Sequence, residues 1–195
     1  MDSIVSPRNS MHSRRKNKTL PDIFLRKIHI LLPGDQSMKT KPWKVYAFWI
    51  LFTEAVGGLS GWLTWDGSKS FNETVAQPPL RPPAIVFPSV GGILYALMGI
   101  SAARIRLSSP SPEKNKSQNL FIVQLILNFF WSLIFFNAQA YGLAFLWLLL
   151  LWGVVLAMIL QFRRVDPLAA KLQIPYLLWL TFAAYLNLGV WYLNR

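Results

Sequence analysis

The chain has 195 residues, of which 53% are hydrophobic and only 14% are charged. This composition argues against an ordinary soluble domain, in which about a quarter of the residues are charged, and the absence of cysteine excludes disulfides, thiolate metal sites and a cysteine nucleophile. The net charge of +12 does not indicate a nucleic-acid partner, because the basic residues flank long apolar blocks in short loops, a pattern typical of membrane proteins.

The amino-terminal segment is basic: the first 44 residues hold ten of the 20 Lys and Arg and three of the eight acids. We interpret residues 1–42 as a flexible tail and residues 43–195 as one membrane domain. A transit peptide and a chain start at Met38 are the alternatives. The apolar segment 23–32 could also lie on the membrane surface as a short helix.

Five stretches are long and apolar enough to cross a hydrocarbon core of about 30 Å, which takes about 20 helical residues. They are 45–65, 82–103, two spans within 117–162, and 172–194. As one helix the uncharged block 117–162 would extend about 69 Å, so it must fold back, and its polar patch 137–142 is the predicted turn. The sequence therefore predicts an all-α integral membrane protein, a bundle of five transmembrane helices.

Basic residues are distributed unequally over the two sides of this topology. The side that holds the amino-terminal tail receives 17 of the 20 Lys and Arg. Because basic loops stay in the cytoplasm, we expect a cytoplasmic amino terminus. We expect a bacterial cell membrane, with a mitochondrial or other organelle membrane as the alternative.

Polar side chains inside the predicted spans are costly in lipid and mark candidate functional positions. One face of the third span carries Gln124, Asn128 and Trp131, and one face of the last span carries Trp179, Ala183 and Asn187. We expect the two stripes to face each other and to line a pocket with aromatic walls and amide groups. The alternative is purely structural, with amides bonding between helices and tryptophans packing.

Small residues in the first two spans indicate close helix contact. Gly57 and Gly61 form a GxxxG pattern, and Gly99 and Ala103 have the same spacing. The contact lies either within the chain or between subunits.

The connection 64–83 is rich in proline and leads through Pro82 and Pro83 into the second span. Proline suits an extended segment that enters a helix at its first turn. We interpret this connection as a lid over the bundle or, alternatively, as a stiff connector.

The sequence contains no P-loop, GxSxG, HExxH or EF-hand pattern. Its two histidines, His12 and His29, lie in the tail, and Glu54 is the one carboxylate inside the predicted spans. We therefore predict no metal site, no paired acid–base chemistry and no catalytic residue. Glu54 is neutral, paired with a base or extended toward the membrane surface, and a role in the pocket is the less favoured hypothesis.

Four blocks of the chain resemble motifs of the TspO/MBR family, the tryptophan-rich sensory proteins related to the mitochondrial translocator protein (peripheral benzodiazepine receptor). They are PPAIVFP at 82–88 with LYALMG at 94–99, QLILN at 124–128 with Trp131 and the pair 135–136, PLAA at 167–170, and PYLLW at 175–179 with the remainder of the last helix. Together they cover residues 43–194 in order.

The resemblance implies a five-helix bundle, often dimeric, with a pocket beneath the first loop. Relatives bind porphyrins, haem, sterols and benzodiazepine-type drugs, so porphyrin or haem is the expected ligand, with no obligatory cofactor, and the lipid bilayer and a second copy are the expected partners. We therefore expect ligand contacts from Pro82, Pro83, Gln124, Asn128, Trp131, Trp179, Ala183, Leu186 and Asn187.

The chain departs from the family pattern at Leu80, Ile85 and Gly91, where tryptophan is usual. The Gly91 position is one of two tryptophans linked with light-driven porphyrin breakdown in bacterial relatives, and Trp179 matches the other. We therefore favour a receptor, sensor or translocator for tetrapyrroles and similar flat apolar ligands over a porphyrin-degrading photo-oxidative enzyme. A sterol-binding protein, weakened by Leu188 in place of the motif's tyrosine, and a structural membrane adaptor are further alternatives.

Overall fold

The structure is a computed structural model that describes residues 41–195. Residues 1–40, and with them the predictions made for the tail, lie outside the described residues. All regular elements from 41 to 195 are helical. They are α1 (Pro42–Leu63), α2 (Trp65–Thr74), α3 (Val86–Leu107), α4 (Pro112–Ser132), α5 (Tyr141–Val165), α6 (Pro167–Lys171) and α7 (Ile174–Leu193), and a π-helical turn, Leu133–Asn137, extends α4.

Four helical segments of the described chain are long and apolar enough to cross a membrane. They are Val86–Leu107, Pro112–Asn137, Tyr141–Val165 and Pro167–Leu193. The prediction of a helical membrane protein is therefore confirmed, as is the turn inside the uncharged block, because α4 ends at Asn137 and α5 begins at Tyr141. Helix α1 is as long as α3 but is not among these four segments, and its membrane crossing stays a prediction.

The prolines had suggested an extended connection between α1 and α3, but part of this connection is helical. Its first half forms α2, and the irregular chain is confined to residues 75–85. Helix α2 is short and polar, so it gives no hydropathy signal, and contacts outside the helix hold it in place. Its Phe71 side chain is buried, and the ring centroids of Phe71 and Phe135 are 5.0 Å apart.

The long helices pack mainly as three neighbouring pairs, α1 with α3, α4 with α5, and α5 with α7. At the end of the bundle where α1 and α4 begin, side chains from α3, α4 and α5 form a dense core. We call it the packed end, and its fully buried members include Met98, Ala103, Phe121, Met158 and Phe162.

Hydrogen bonds and an ion pair join α3 to the turn that contains α6 at the packed end. The Ser101 hydroxyl donates to the Ala169 carbonyl oxygen at 2.7 Å. The Arg104 guanidinium lies 2.9 Å from a carboxylate oxygen of Asp166, which also caps α6. Ser101 and Arg104 of α3 are therefore tied to the turn that contains α6.

Two of the small residues allow α1 and α3 to approach closely within the chain. A Cβ atom on Gly99 would lie 2.5 Å from the Ile50 Cα atom, and one on Gly57 would overlap the Tyr95 ring. The Thr53 hydroxyl donates to the Tyr95 carbonyl oxygen at 2.8 Å across the same contact. Gly57 and Gly99 thus serve an internal helix pair, which answers the question that the sequence left open for these positions.

Candidate ligand-binding cavity

A cavity of about 1010 Å³ lies at the other end of the bundle, between α1, α3, α7 and the end of α4. We call this the cavity end. Helix α2 and the segment 75–85 lie over it, and together we call them the cover. The cavity therefore lies between these helices and the cover, in space that side chains do not fill.

Aromatic rings from two elements form one wall of the cavity. The Trp131 and Phe135 rings are stacked with centroids 5.1 Å apart, and Phe71 from the cover packs against Phe135 and Phe136. Phe71 and Phe135 are buried in a shared cluster with Ala144 and Val190. The flat surfaces of the rings suit a flat apolar molecule.

One buried amide fixes the orientation of the indole in this wall. The Trp131 Nε1–H donates to the Asn187 Oδ1 atom at 3.4 Å, and the Asn187 Nδ2–H donates to the Tyr141 carbonyl oxygen at 2.9 Å. Because both ends of the amide are engaged, Asn187 joins α4, α5 and α7 behind the wall. The predicted stripes on α4 and α7 therefore meet at Trp131 and Asn187.

Besides the packing of Phe71 against Phe135 and Phe136, four contacts anchor the cover on the bundle. Gly67 of α2 lies against the Phe136 carbonyl group, and Pro78 packs on Gly189 of α7. The Tyr185 hydroxyl donates to the Pro79 carbonyl oxygen at 3.0 Å.

The carboxamide of Asn194 makes the fourth contact and holds the chain at Ala76. It accepts from the Ala76 amide and donates to the Ala76 carbonyl oxygen, both at 3.0 Å. The cover is therefore an ordered element with contacts to α4 and α7, and its hydrogen bonds lie at the exposed rim of the bundle.

The charged residues that line the cavity are separated by position. Lys69, Glu73 and Arg81 lie on the cover, where the Arg81 guanidinium bonds to Asn72 and lies 6.0 Å from the Phe71 ring centroid. Glu54 lies on α1, nine residues before that helix ends. The lining residues of the cover thus include two basic groups and one carboxylate, and Glu54 adds a second carboxylate on the α1 wall.

Among the nine predicted site residues, four line the cavity: Trp131, Ala183, Leu186 and Asn187. Asn128 lies beneath it, where it accepts from the Tyr95 hydroxyl at 3.4 Å and donates to the Tyr176 hydroxyl at 2.7 Å. Tyr95 itself lines the cavity, so the amide of Asn128 supports the floor.

Gln124 lies one helical turn further from the cavity and is fully buried. Its Nε2 atom lies 4.0 Å from the Met98 sulfur, and its Oε1 atom has no hydrogen-bond partner among the described residues. The three residues of the α4 stripe therefore share one helical face, but only Trp131 lines the cavity.

Trp179, Pro82 and Pro83 are not among the residues that line the cavity. The Trp179 ring packs on Phe87 and Phe182, with centroids 5.8 Å away in both cases, and Phe87 does line the cavity. Pro82 and Pro83 lie just before α3 and are partly exposed. A ligand role for these three residues stays a prediction.

Glycines that the sequence analysis had not assigned to the site give the cavity its width. Gly58 and Gly61 on α1 and Gly91 and Gly92 on α3 all line it, and a Cβ atom on any of them would meet nothing within 4 Å. Phe71 was missed as well, because α2 was not predicted. The signal in the sequence for a wide cavity was the glycine at position 91, where tryptophan is usual in the family.

The lining contains amides, hydroxyls and isolated charges but no cluster of metal ligands. Among residues 41–195, no three His, Cys, Asp or Glu side chains come together. The arrangement can hold an apolar ring system by stacking and can bond to its polar edges.

Comparison with known proteins places the chain in one family. The TspO/MBR family model matches residues 49–193. The tryptophan-rich protein TspO of Chlorobaculum tepidum is 35% identical over 141 residues, which cover 72% of this chain and 89% of that protein. The translocator protein of Ovis aries is 35% identical over 158 residues, which cover 79% of this chain and 92% of that protein. The chain therefore belongs to the TspO/MBR family, and the predicted relationship is confirmed.

Proposed function

We propose that this protein is a membrane receptor or translocator that binds a tetrapyrrole, such as porphyrin or haem, or a similarly flat apolar ligand in its cavity. The observation that carries the proposal is a cavity of about 1010 Å³ with a stacked aromatic wall beneath an anchored cover. Small-molecule sites span roughly 300–1,000 Å³, so this cavity suits a ligand as large as a macrocycle.

The lining supports a ligand that is flat, largely apolar and polar at its edge. The Trp131 and Phe135 rings offer a stacking surface, and Asn187 holds the Trp131 ring in place. Arg81 and Lys69 on the cover are the groups that would bind carboxylates on the ligand edge.

The names of two relatives, a translocator protein and a tryptophan-rich sensory protein, describe activities in which a ligand is passed on or reported. Both activities need the ligand to leave again. The cover is the element that would move, because its hydrogen bonds at Pro79 and Asn194 lie at the exposed rim.

We also propose that α1 is a fifth membrane span and that the amino terminus is cytoplasmic. The 22 residues of α1 extend about 33 Å, enough to cross a bilayer, and the charge asymmetry favours this orientation. The relatives come from bacteria and from animals, so a bacterial cell membrane or an organelle membrane is the proposed location, with a homodimer as the proposed assembly.

Cysteine labelling tests this topology cleanly, because the chain has no cysteine. Single Ser70→Cys and Lys41→Cys variants place a thiol on α2 and directly before the start of α1, on the two sides of the proposed fifth span. In intact cells or organelles an impermeant maleimide should label only the Ser70→Cys variant. Labelling of both sites to the same extent would contradict five spans.

Photo-oxidative breakdown of porphyrin has weaker support than binding. Gly91 replaces one of the two tryptophans connected with that activity, and Trp179 is not a lining residue. Illumination of the complex with protoporphyrin separates the two functions. Porphyrin loss that requires Trp179 would favour an enzyme, and a stable porphyrin spectrum would favour a binder.

A protoporphyrin titration of the purified full chain in detergent tests the proposed binding. The Soret band reports binding in the wild type, in Trp131→Leu and in the control Trp152→Leu, whose indole bonds to Thr181 outside the cavity. We expect saturable binding and a Kd about tenfold higher in Trp131→Leu only, because a ring of the stacking wall is lost. Equal Kd values in all three proteins, at matched melting temperatures, would overturn the site.

A further inference from the structure

Glu54 is a carboxylate at a depth where contact of the charged group with lipid would cost free energy. It lies in the middle of α1, nine residues before Leu63, which corresponds to about 14 Å along the helix axis. An ionisable side chain at such a depth faces the protein interior and serves a partner or a ligand in most membrane proteins. The proposed function gives Glu54 no task, because tetrapyrrole carboxylates would meet the basic cover.

The carboxylate belongs to the cavity wall. Glu54 shares a helical face with Gly57, Gly58 and Gly61, and all four line the cavity. Its depth is set by the neighbouring residue, since the Thr53 hydroxyl bonds to the Tyr95 carbonyl oxygen at 2.8 Å. Glu54 therefore lies at the level of Tyr95, close to the floor.

Glu54 has no basic partner among residues 41–195. The salt bridge in that part of the chain joins Arg104 to Asp166 at the packed end. The basic residues that line the cavity, Lys69 and Arg81, belong to the cover, and Arg81 already bonds to Asn72. The protein thus leaves a carboxylate within the cavity that a ligand can reach.

The surroundings of Glu54 also favour positive charge. The aromatic rings of Tyr95 and Trp131 line the same cavity, and aromatic faces attract cations. Gly58 and Gly61 carry no side chain that could block access, and a Cβ atom built at either position would meet nothing within 4 Å. A carboxylate beside aromatic rings is a common arrangement for binding an ammonium group.

We propose that Glu54 is a cation-binding group of the cavity, which therefore prefers flat apolar ligands that carry an ammonium or a comparable cationic N–H group. This inference rests on the proposed function, because it assumes that the cavity binds flat apolar molecules. The separated charges also orient a ligand. Anionic edges bind at the cover beside Lys69 and Arg81, and a cationic group points to Glu54.

Two matched probes test this preference with the full chain in detergent. The probes are 1-pyrenemethylamine, which is cationic at neutral pH, and 1-pyrenemethanol, which has the same ring system and no charge. Energy transfer from tryptophan to pyrene reports binding, and the ratio of the two Kd values is compared between proteins, so that partition of each probe into detergent cancels.

We expect the wild type to prefer the amine and Glu54→Gln to lose that preference by roughly tenfold, because a hydrogen bond to a charged group is lost. Binding of 1-pyrenemethanol should stay the same. Glu54→Asp, which keeps the charge, should retain part of the preference. The control Glu113→Gln removes an exposed carboxylate at the start of α4, outside the cavity lining, and should leave the ratio unchanged.

An unchanged ratio in Glu54→Gln, or an equal loss in Glu113→Gln, overturns the assignment of the cation site. The protoporphyrin titration of the same proteins separates this failure from failure of the proposed function. Saturable porphyrin binding with a ratio independent of Glu54 refutes the cation site alone. Absence of saturable binding for porphyrin and for both pyrenes refutes the proposed function as well.

Discussion

The packed end and the cavity end are built from the same helices and from similarly apolar sequence, yet one is filled and the other is hollow. At the packed end, Gly99 brings the backbones of α1 and α3 together, and Met98, Met158 and Phe162 fill the interior. At the cavity end, Gly91 and its neighbouring glycines face empty space. Gly99 thus serves close packing, whereas Gly58, Gly61, Gly91 and Gly92 contribute cavity volume.

This difference shows that the role of a small residue depends on what lies opposite it. The distance from a built Cβ atom separates the two cases, 2.5 Å to Ile50 at Gly99 and nothing within 4 Å at Gly91. A row of polar contacts, Tyr95–Asn128–Tyr176, marks the boundary between the ends. The two ends should therefore respond differently to the same substitution.

The largest effect is expected when Gly99 and Gly91 are each replaced by alanine. Gly99→Ala should lower the free energy of unfolding by about 2 kcal/mol, because the Ile50 backbone cannot move aside without separating α1 and α3. Gly91→Ala should raise it by up to about 1 kcal/mol through helix propensity. Unfolding of both variants in detergent, followed by circular dichroism, measures the difference. A change of the same sign in both would contradict the contrast between the ends.

A slightly smaller effect is expected at the boundary. Asn128→Leu should cost about 2 kcal/mol of unfolding free energy, because the Tyr95 and Tyr176 hydroxyls lose a shared partner. Tyr176→Phe should cost about 1 kcal/mol, and the double variant less than the sum. Strict additivity of the two losses would show that this hydrogen bond does not join the helices.

Asn194→Ala should weaken the attachment of the cover and lower the free energy of unfolding by about 1 kcal/mol, because both hydrogen bonds to Ala76 are lost. Protoporphyrin should then dissociate faster, as measured by stopped-flow exchange. Asn115→Ala, an exposed change at the packed end, is the control and should leave the dissociation rate unaltered. A normal rate in Asn194→Ala would mean that the cover does not limit ligand release.

The smallest effect is expected at Gln124. Its Oε1 atom is buried without a partner among the described residues, and its Nε2 atom lies 4.0 Å from the Met98 sulfur. Gln124→Met keeps the volume and removes the buried amide, so stability should be unchanged or raised by up to about 1 kcal/mol. A loss above about 1 kcal/mol in thermal unfolding would show that this amide bonds to something within the fold.

Much of the fold could be predicted because long apolar blocks have few structural solutions. Length required the block 117–162 to fold back, and its polar patch placed the turn near 137–142. The helices end within a few residues of the predicted spans. Helix α2 could not be found this way, because a short polar helix is stabilised by its contacts, here by Phe71 against Phe135.

The candidate site was predicted in part for a similar reason. Helical spacing placed Gln124, Asn128 and Trp131 on one face of α4. In the structure Gln124 packs against Met98, Asn128 lies beneath the cavity floor, and Trp131 lines the cavity wall. Periodicity gives the face of a helix but not what lies opposite each turn. The open glycines and the position of Trp179 beside Phe87 depend on that missing information.

The account depends most on the claim that the ligand occupies the space beside Gly91 and Gly92. The direct measurement is a protoporphyrin titration of Gly92→Trp against Gly153→Trp, which adds the same indole at an exposed position outside the cavity lining. We predict that Gly92→Trp weakens binding by about tenfold or more, because the indole fills volume that the ligand needs, while Gly153→Trp binds like the wild type. Equal affinity in Gly92→Trp and Gly153→Trp, with both proteins folded, would contradict the account.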